Sequence, residues 1–96
     1  MTMTKIDRED NGKKGRFAIY ENGEFAGEMT YVWAGPTKFI IDHTGVEDKF
    51  GGQGLGKKLV MEAVKYARSN DLKIKPLCPF AKKVFDGHSE LEDIRF

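Results

Sequence analysis

The run Gly51, Gly52, Gln53, Gly54, Leu55 and Gly56, followed at once by Lys57 and Lys58, is the segment most able to hold a ligand. Glycine admits positive φ and lets the backbone approach another group closely. The run separates an apolar, strand-like stretch from a helical period, so the chain bends there and begins a helix. The first amide groups of a helix have no intrahelical acceptor, and the helix dipole adds partial positive charge at that end. Together these features make a cradle for a phosphate or diphosphate. The plainer alternative is a glycine-rich connection. Three further side chains can form bonds or move protons. Cys78 stands before Pro79, and a thiol at a helix N-terminus is a potential nucleophile. His43 lies on the neighbouring strand of the expected sheet, where it can face the same cleft as a base, and Glu47 is a second candidate base. Against these stand a packed cysteine, a hydrogen-bonded strand histidine and an exposed loop acid. Asp42 can orient His43 only from the same face, and successive strand residues face opposite sides. His88, beyond Gly87, is read as surface.

Three motifs compete for the glycine run. A Walker A loop matches through Gly51, Gly56 and Lys57, but Lys58 stands where a hydroxyl should meet magnesium. A dinucleotide fingerprint needs glycine or alanine where Leu59 sits. Gly51-Gly52-Gln53 also spells the tripeptide of peptide-release factors, yet here it runs straight into a helix instead of capping an exposed loop.

The elements that must position these residues follow from periodicity. Residues 1–14 show no period and are read as a flexible start, with 15–96 as a single domain. A strand at 16–20 precedes Asn22-Gly23, a dipeptide suited to a type I′ hairpin because both turn residues need φ > 0. The return strand, 24–33, places Phe25, Met29, Tyr31 and Trp33 on one face, with Glu28 and Thr30 on the other. Residues 38–46 form a third strand. Leu55, Leu59, Val60, Ala63, Val64 and Ala67 then recur at helical spacing until Asn70-Asp71. A buried strand at 73–77 cannot run far past Pro76. Pro79 suits the first turn of a second helix, 79–86, which Gly87 stops. Residues 91–96 alternate and are read as a last edge strand. The expected class is α/β (α+β), with a right-handed crossover between the strands that flank the first helix.

Composition bounds the function. A chain of 96 residues has room for one core, and 40% apolar with 32% charged residues is ordinary globular composition. A net charge of +1 gives no strong field toward nucleic acid or membrane, so neither is an expected partner. The single cysteine excludes an intrachain disulfide and suits the cytoplasm. No apolar stretch at the start is long enough for a signal peptide, and no run reaches the length of a membrane span. No metal is expected. A monomer or weak dimer is the expected state.

Gln/Arg-x-x-Gly-x-Gly/Ala at a strand-to-helix junction is the coenzyme A signature of the GNAT superfamily of N-acetyltransferases, and residues 51–56 resemble it. Gly54 and Gly56 match its two glycines, while Gly51 replaces the customary Gln or Arg. With Asp42-His43-Thr44-Gly45-Val46 before the turn and Cys78-Pro79-Phe80-Ala81-Lys82 after it, the chain looks like the small single-domain bacterial proteins of that superfamily. The similarity covers about residues 16–86. It implies a minimal GNAT fold, a mixed and mostly antiparallel sheet with two helices and a splayed parallel strand pair.

The resemblance also implies acetyl-CoA as co-substrate. Thr44, Gly45 and Val46 would pair with the pantetheine, and residues 51–57 would cradle the diphosphate. Lys57, Lys58, Lys82 and Lys83 are candidates for the remaining phosphate charge. The tyrosine that many such enzymes use as an acid is missing, since Phe80 and Phe85 occupy the second helix. Cys78 is the substitute. It either accepts the acetyl group, with His43 as base, or protonates the leaving sulfur while His43 or Glu47 deprotonates the amine. The implied function is transfer of acetyl from coenzyme A to an unidentified amine, on a small molecule or a protein lysine, at an open site. A non-catalytic CoA or acyl-CoA sensor or adaptor is the alternative, and a nucleotide-phosphate binder using Gly56-Lys57 is the third reading.

Overall fold

The computed structural model describes residues 3–96. Among them, strands β1 (Thr4–Asp10), β2 (Lys14–Glu21), β3 (Glu24–Gly35), β4 (Lys38–Val46) and β5 (Lys73–Pro76) form one sheet in chain order. The first three pairings are antiparallel, and β4 with β5 is parallel. Helix α1 (Leu55–Ser69) makes the crossover between β4 and β5, and helix α2 (Pro79–Asp86) follows β5. Mixed sheet, helices and parallel pair match the architecture that the sequence implies. Asn22 and Gly23 have φ of 51° and 83°, the conformation their hairpin requires.

The helices share one core with the sheet. Helix α1 buries Leu59, Val60, Ala63, Val64 and Ala67 against Phe17, Ile19, Met29, Tyr31, Phe39 and Ile41. Each fully buried large aliphatic or aromatic side chain stabilises the fold by about 1.5–3 kcal/mol. The opposite sheet face carries Arg16, Glu28, Thr30 and Asp42. There Arg16 bridges Glu9 and Glu28 at 3.1 and 2.9 Å.

Three expectations are corrected. Within the segment read as flexible, Thr4–Asp10 is a strand paired with β2 along its length, and β2 begins at Lys14 (Met1 and Thr2 lie outside the described residues). What secures β1 is a polar network instead of an apolar period. Asp10 accepts hydrogen bonds from Tyr31 Oη at 2.6 Å, Trp33 Nε1 at 2.8 Å and Gly12 N at 2.7 Å, with Arg8 at 3.2 Å. Burial alone would push the Asp10 carboxyl up. The bonds from Tyr31, Gly12 and Trp33, helped by the Arg8 charge, outweigh it and hold the group below its ordinary range. Burial, together with the bond to Asp10, pushes the Tyr31 phenol up to about 12. To reach Asp10, Tyr31 crosses over Gly15, where a Cβ would lie 2.5 Å from both Tyr31 Oη and Glu9 O.

Phe25 does not share the face of Met29 and Tyr31. A register shift pairs Ile19 with Gly27 but Tyr20 with Phe25, which inserts Ala26 as an extra residue. Ala26 enters the core, and Phe25 packs edge-on against Tyr20 beneath Arg16. The tail is not a strand either. Ser89–Ile94 is a 3₁₀ turn that buries Leu91 and Ile94, and only an isolated bridge joins Arg95 to Ile74.

Candidate functional site

After β4, a short 3₁₀ turn at Asp48–Phe50 leads into the glycine run. Gly52 and Gly54 have φ of 80° and 74°, which L side chains rarely adopt. Gly54 is the N-cap of α1 and offers no side-chain cap. The N–H of Lys58 reaches Gly54 O at 3.1 Å, so the amides of residues 55–57 precede the helical ladder and have no acceptor within it. Gly51 differs. Its φ of −62° and ψ of 151° suit any residue, and its N–H bonds Asp48 O at 3.1 Å.

The turn borders a cavity of about 640 Å³. Pairing of β4 with β5 ends at Ile41 and Pro76, and the N–H groups of Leu77 and Cys78 both reach Ile41 O at 3.0 Å. Beyond that point β4 continues paired only with β3 while the chain turns into α2, so the parallel pair parts as the resemblance implies. Val46, Phe50, Leu55, Phe80 and Val84 supply apolar walls, and Lys57 and Lys83 bring positive charge to the rim. In α2, Phe80, Lys83 and Val84 share the cleft face by their i, i+3, i+4 spacing. Ala81 and Phe85 turn into the core.

Cys78 is the N-cap of α2. It is 4% exposed; its Sγ accepts the Ala81 N–H at 3.2 Å and lies 3.2 Å from Thr44 Oγ1. Thr44 lines the cavity, with the thiol just behind it.

Of the residues singled out from sequence, Thr44, Val46, Gly51, Gly52, Gly54, Leu55, Gly56, Lys57 and Lys83 line this cavity. Gln53 and Lys58 are exposed beside it. Lys82 points away and pairs with Asp86 at 2.9 Å. Glu47 is exposed; it precedes the 3₁₀ turn and makes no capping bond, its N–H bonding Ala26 O at 2.8 Å.

The expectation that His43 shares the cleft with Cys78 is corrected. The register runs Met29 with Thr44, Thr30 with His43, then Tyr31 with Ile41, so β4 carries one extra residue there. That bulge turns Thr44 onto the core face and leaves Asp42 and His43 on the open face. Thr30 Oγ1 donates to Asp42 there at 2.6 Å. A Cβ on Gly45 would meet His43 Nε2 at 3.1 Å, which puts Gly45 and the imidazole on that same side. The hydroxyl of Thr44, read from sequence only for its backbone, takes the place expected of the imidazole. Phe50, Phe80 and Val84 are lining residues that sequence reasoning missed; for Phe80 and Val84 the i, i+4 spacing within the second helix was a usable sign. Among the described residues, no group of His, Cys, Asp and Glu is arranged to hold a metal.

Comparison with known proteins gives a consistent picture. A family model described as GCN5-related N-acetyl-transferase matches residues 16–94. A solution structure of a GCN5-like putative N-acetyltransferase from Staphylococcus aureus is 36% identical and has a TM-score of 0.69. The match covers 94% of this chain and 87% of that one. Protein NATD1 of Xenopus tropicalis is 28% identical over 81 residues, which is 83% of this chain and 74% of its own. The fold is also shared by a GNAT family acetyltransferase from Elizabethkingia anophelis with acetyl-CoA bound, at 16% identity and a TM-score of 0.64. That match covers 74% of this chain and 62% of the other.

Proposed function

We propose a mechanism for this chain from the premise that it belongs to the GCN5-related N-acetyltransferase family and is an N-acetyltransferase. The donor is acetyl-CoA, and the acceptor is an amine on a small molecule or a protein lysine. One observation carries the reading. Amides with no helical acceptor at the glycine turn open onto an apolar-walled cleft with Lys57 and Lys83 at its rim. A diphosphate joined to a long, largely apolar arm suits that combination of donors, charge and walls. When bound, the co-substrate supplies an activated acetyl thioester.

The chain's own residues divide the work. Amides 52–57 and the two lysines hold the phosphates, and the free edge of β4 at 44–46 offers backbone groups to the arm. Cys78 is the reactive group. Its sulfur forms a bond to the acetyl carbon as the donor's carbon–sulfur bond breaks, and the thiol proton goes to the departing sulfur. The acceptor amine then attacks the acetyl group on Cys78, whose sulfur leaves and takes up the amine proton. The Ala81 N–H and the Thr44 hydroxyl, each 3.2 Å from Sγ, stabilise negative charge on that sulfur in both steps. His43 is no base for this thiol, because it lies across the sheet. The burial of Sγ behind Thr44 favours a second reading: direct transfer to the amine, with Cys78 supplying a proton to the leaving sulfur through Thr44. The free thiol suits a reducing, cytoplasmic setting.

Titration calorimetry with acetyl-CoA, CoA and ATP tests the donor. Saturable binding of the two coenzyme A species in preference to ATP is expected, and a preference for ATP would end this reading. Intact mass after mixing with acetyl-CoA tests the carrier. An acetyl adduct lost in Cys78→Ala is expected; the same adduct on Cys78→Ala would move the role elsewhere, and active protein with no adduct would favour direct transfer.

A further inference from the structure

Phe80 is an apolar ring that stays 41% exposed although the core lies one residue further along its helix. It stands over the first turn of α1. A Cβ built on Gly56 would meet Phe80 Cζ at 2.7 Å and Cε2 at 2.9 Å, so a side chain there would have to push the ring aside. Gly56, unlike Gly52 and Gly54, has no positive φ, so its backbone is open to any residue. What a side chain at that position would displace is the Phe80 ring. The contact sets the ring against the glycine turn, and Phe80 and Gly56 both line the cavity.

We infer that Phe80 is the donor-selecting residue of the cleft: its ring, held on Gly56, is the wall against which the pantetheine arm packs. This rests on the coenzyme A reading above. The arm carries a dimethyl carbon and methylene groups that gain from apolar contact, whereas a diphosphate alone gains nothing from it. The Phe80–Gly56 pair therefore separates ligands that have the arm from nucleotides that lack it.

The test compares CoA, by calorimetry, with ADP, followed through the amide shifts of residues 52–57 up to millimolar ligand. Phe80→Ala is expected to weaken CoA about tenfold and leave ADP within about twofold. Phe80→Leu should recover part of the loss. Gly56→Ala displaces the ring and should weaken CoA to a similar degree. The double variant should be no weaker than Phe80→Ala alone, because the two changes remove one contact. Thermal unfolding checks that each variant is folded. Equal loss of CoA and ADP in Phe80→Ala, or additive losses in the double variant, would overturn the assignment. A wild-type protein that binds neither ligand would overturn the coenzyme A reading itself, and this inference with it.

Discussion

At the scale of single residues, glycines adjacent in sequence do different jobs. Gly52 and Gly54 are needed for their left-handed backbone, and Gly56 leaves room for the ring above it. Gly51 is needed for neither. Its extended backbone accepts a side chain, and a Cβ would lie 3.3 Å from Asp48 O, so a shift of a few tenths of an ångström makes room. The resemblance places a long Gln or Arg at this position in related acetyltransferases. Gly51→Gln is therefore expected to tighten CoA binding by about threefold, a gain of one modest hydrogen bond, with little change in stability. Calorimetry and thermal unfolding of the variant check both parts; weaker binding would mean that the turn cannot admit a side chain. The presence of the turn was legible from residue types and from the switch of period after it. Which glycine serves which purpose was not, because φ values and the Phe80 contact depend on packing by a helix that lies beyond the next strand.

At the scale of elements, the sequence pattern predicts a strand well where apolar alternation runs unbroken and poorly where it does not. Ala26 and the pair Asp42-His43 each insert one residue into a strand, and a side-chain period of two then reverses faces. Phe25 and His43 end up opposite to their expected sides for that single reason. Strand β1 was illegible for another cause: only Ile6 supplies an apolar side chain within it, and its stability comes from pairing and from the Asp10 network. Two predictions follow from that network. Gly15→Ala forces a Cβ against backbone Glu9 O and the Tyr31 hydroxyl. A loss of about 2 kcal/mol or more is expected in chemical unfolding, with β1 amides losing hydrogen-exchange protection. An unchanged midpoint would mean that β1 can shift freely. The Asp10 carboxyl titrates below its ordinary value of 3.8 in the folded chain, so its contribution is present above that pH and is lost as pH falls through the lower folded value. Compared with wild type, Asp10→Asn should show a flatter fall in stability with acid. Parallel acid limbs for the two proteins would remove Asp10 from the account.

At the scale of the molecule, one sheet does two things. Its core face and two helices supply the stability, and its parting at Ile41 opens the cleft beside the glycine turn. The open face keeps Arg16, Glu28, Asp42 and His43 away from that cleft, so the proposed binding cleft and the open face are spatially separate. A titration of labelled protein with CoA, read by amide chemical shifts, tests this directly. The account predicts that the largest shifts fall on residues 52–57, with smaller ones at 44–46 and at the start of α2, while Arg16 and Glu28 stay unmoved. Shifts concentrated on the open face, with the amides of the turn unchanged, would contradict it.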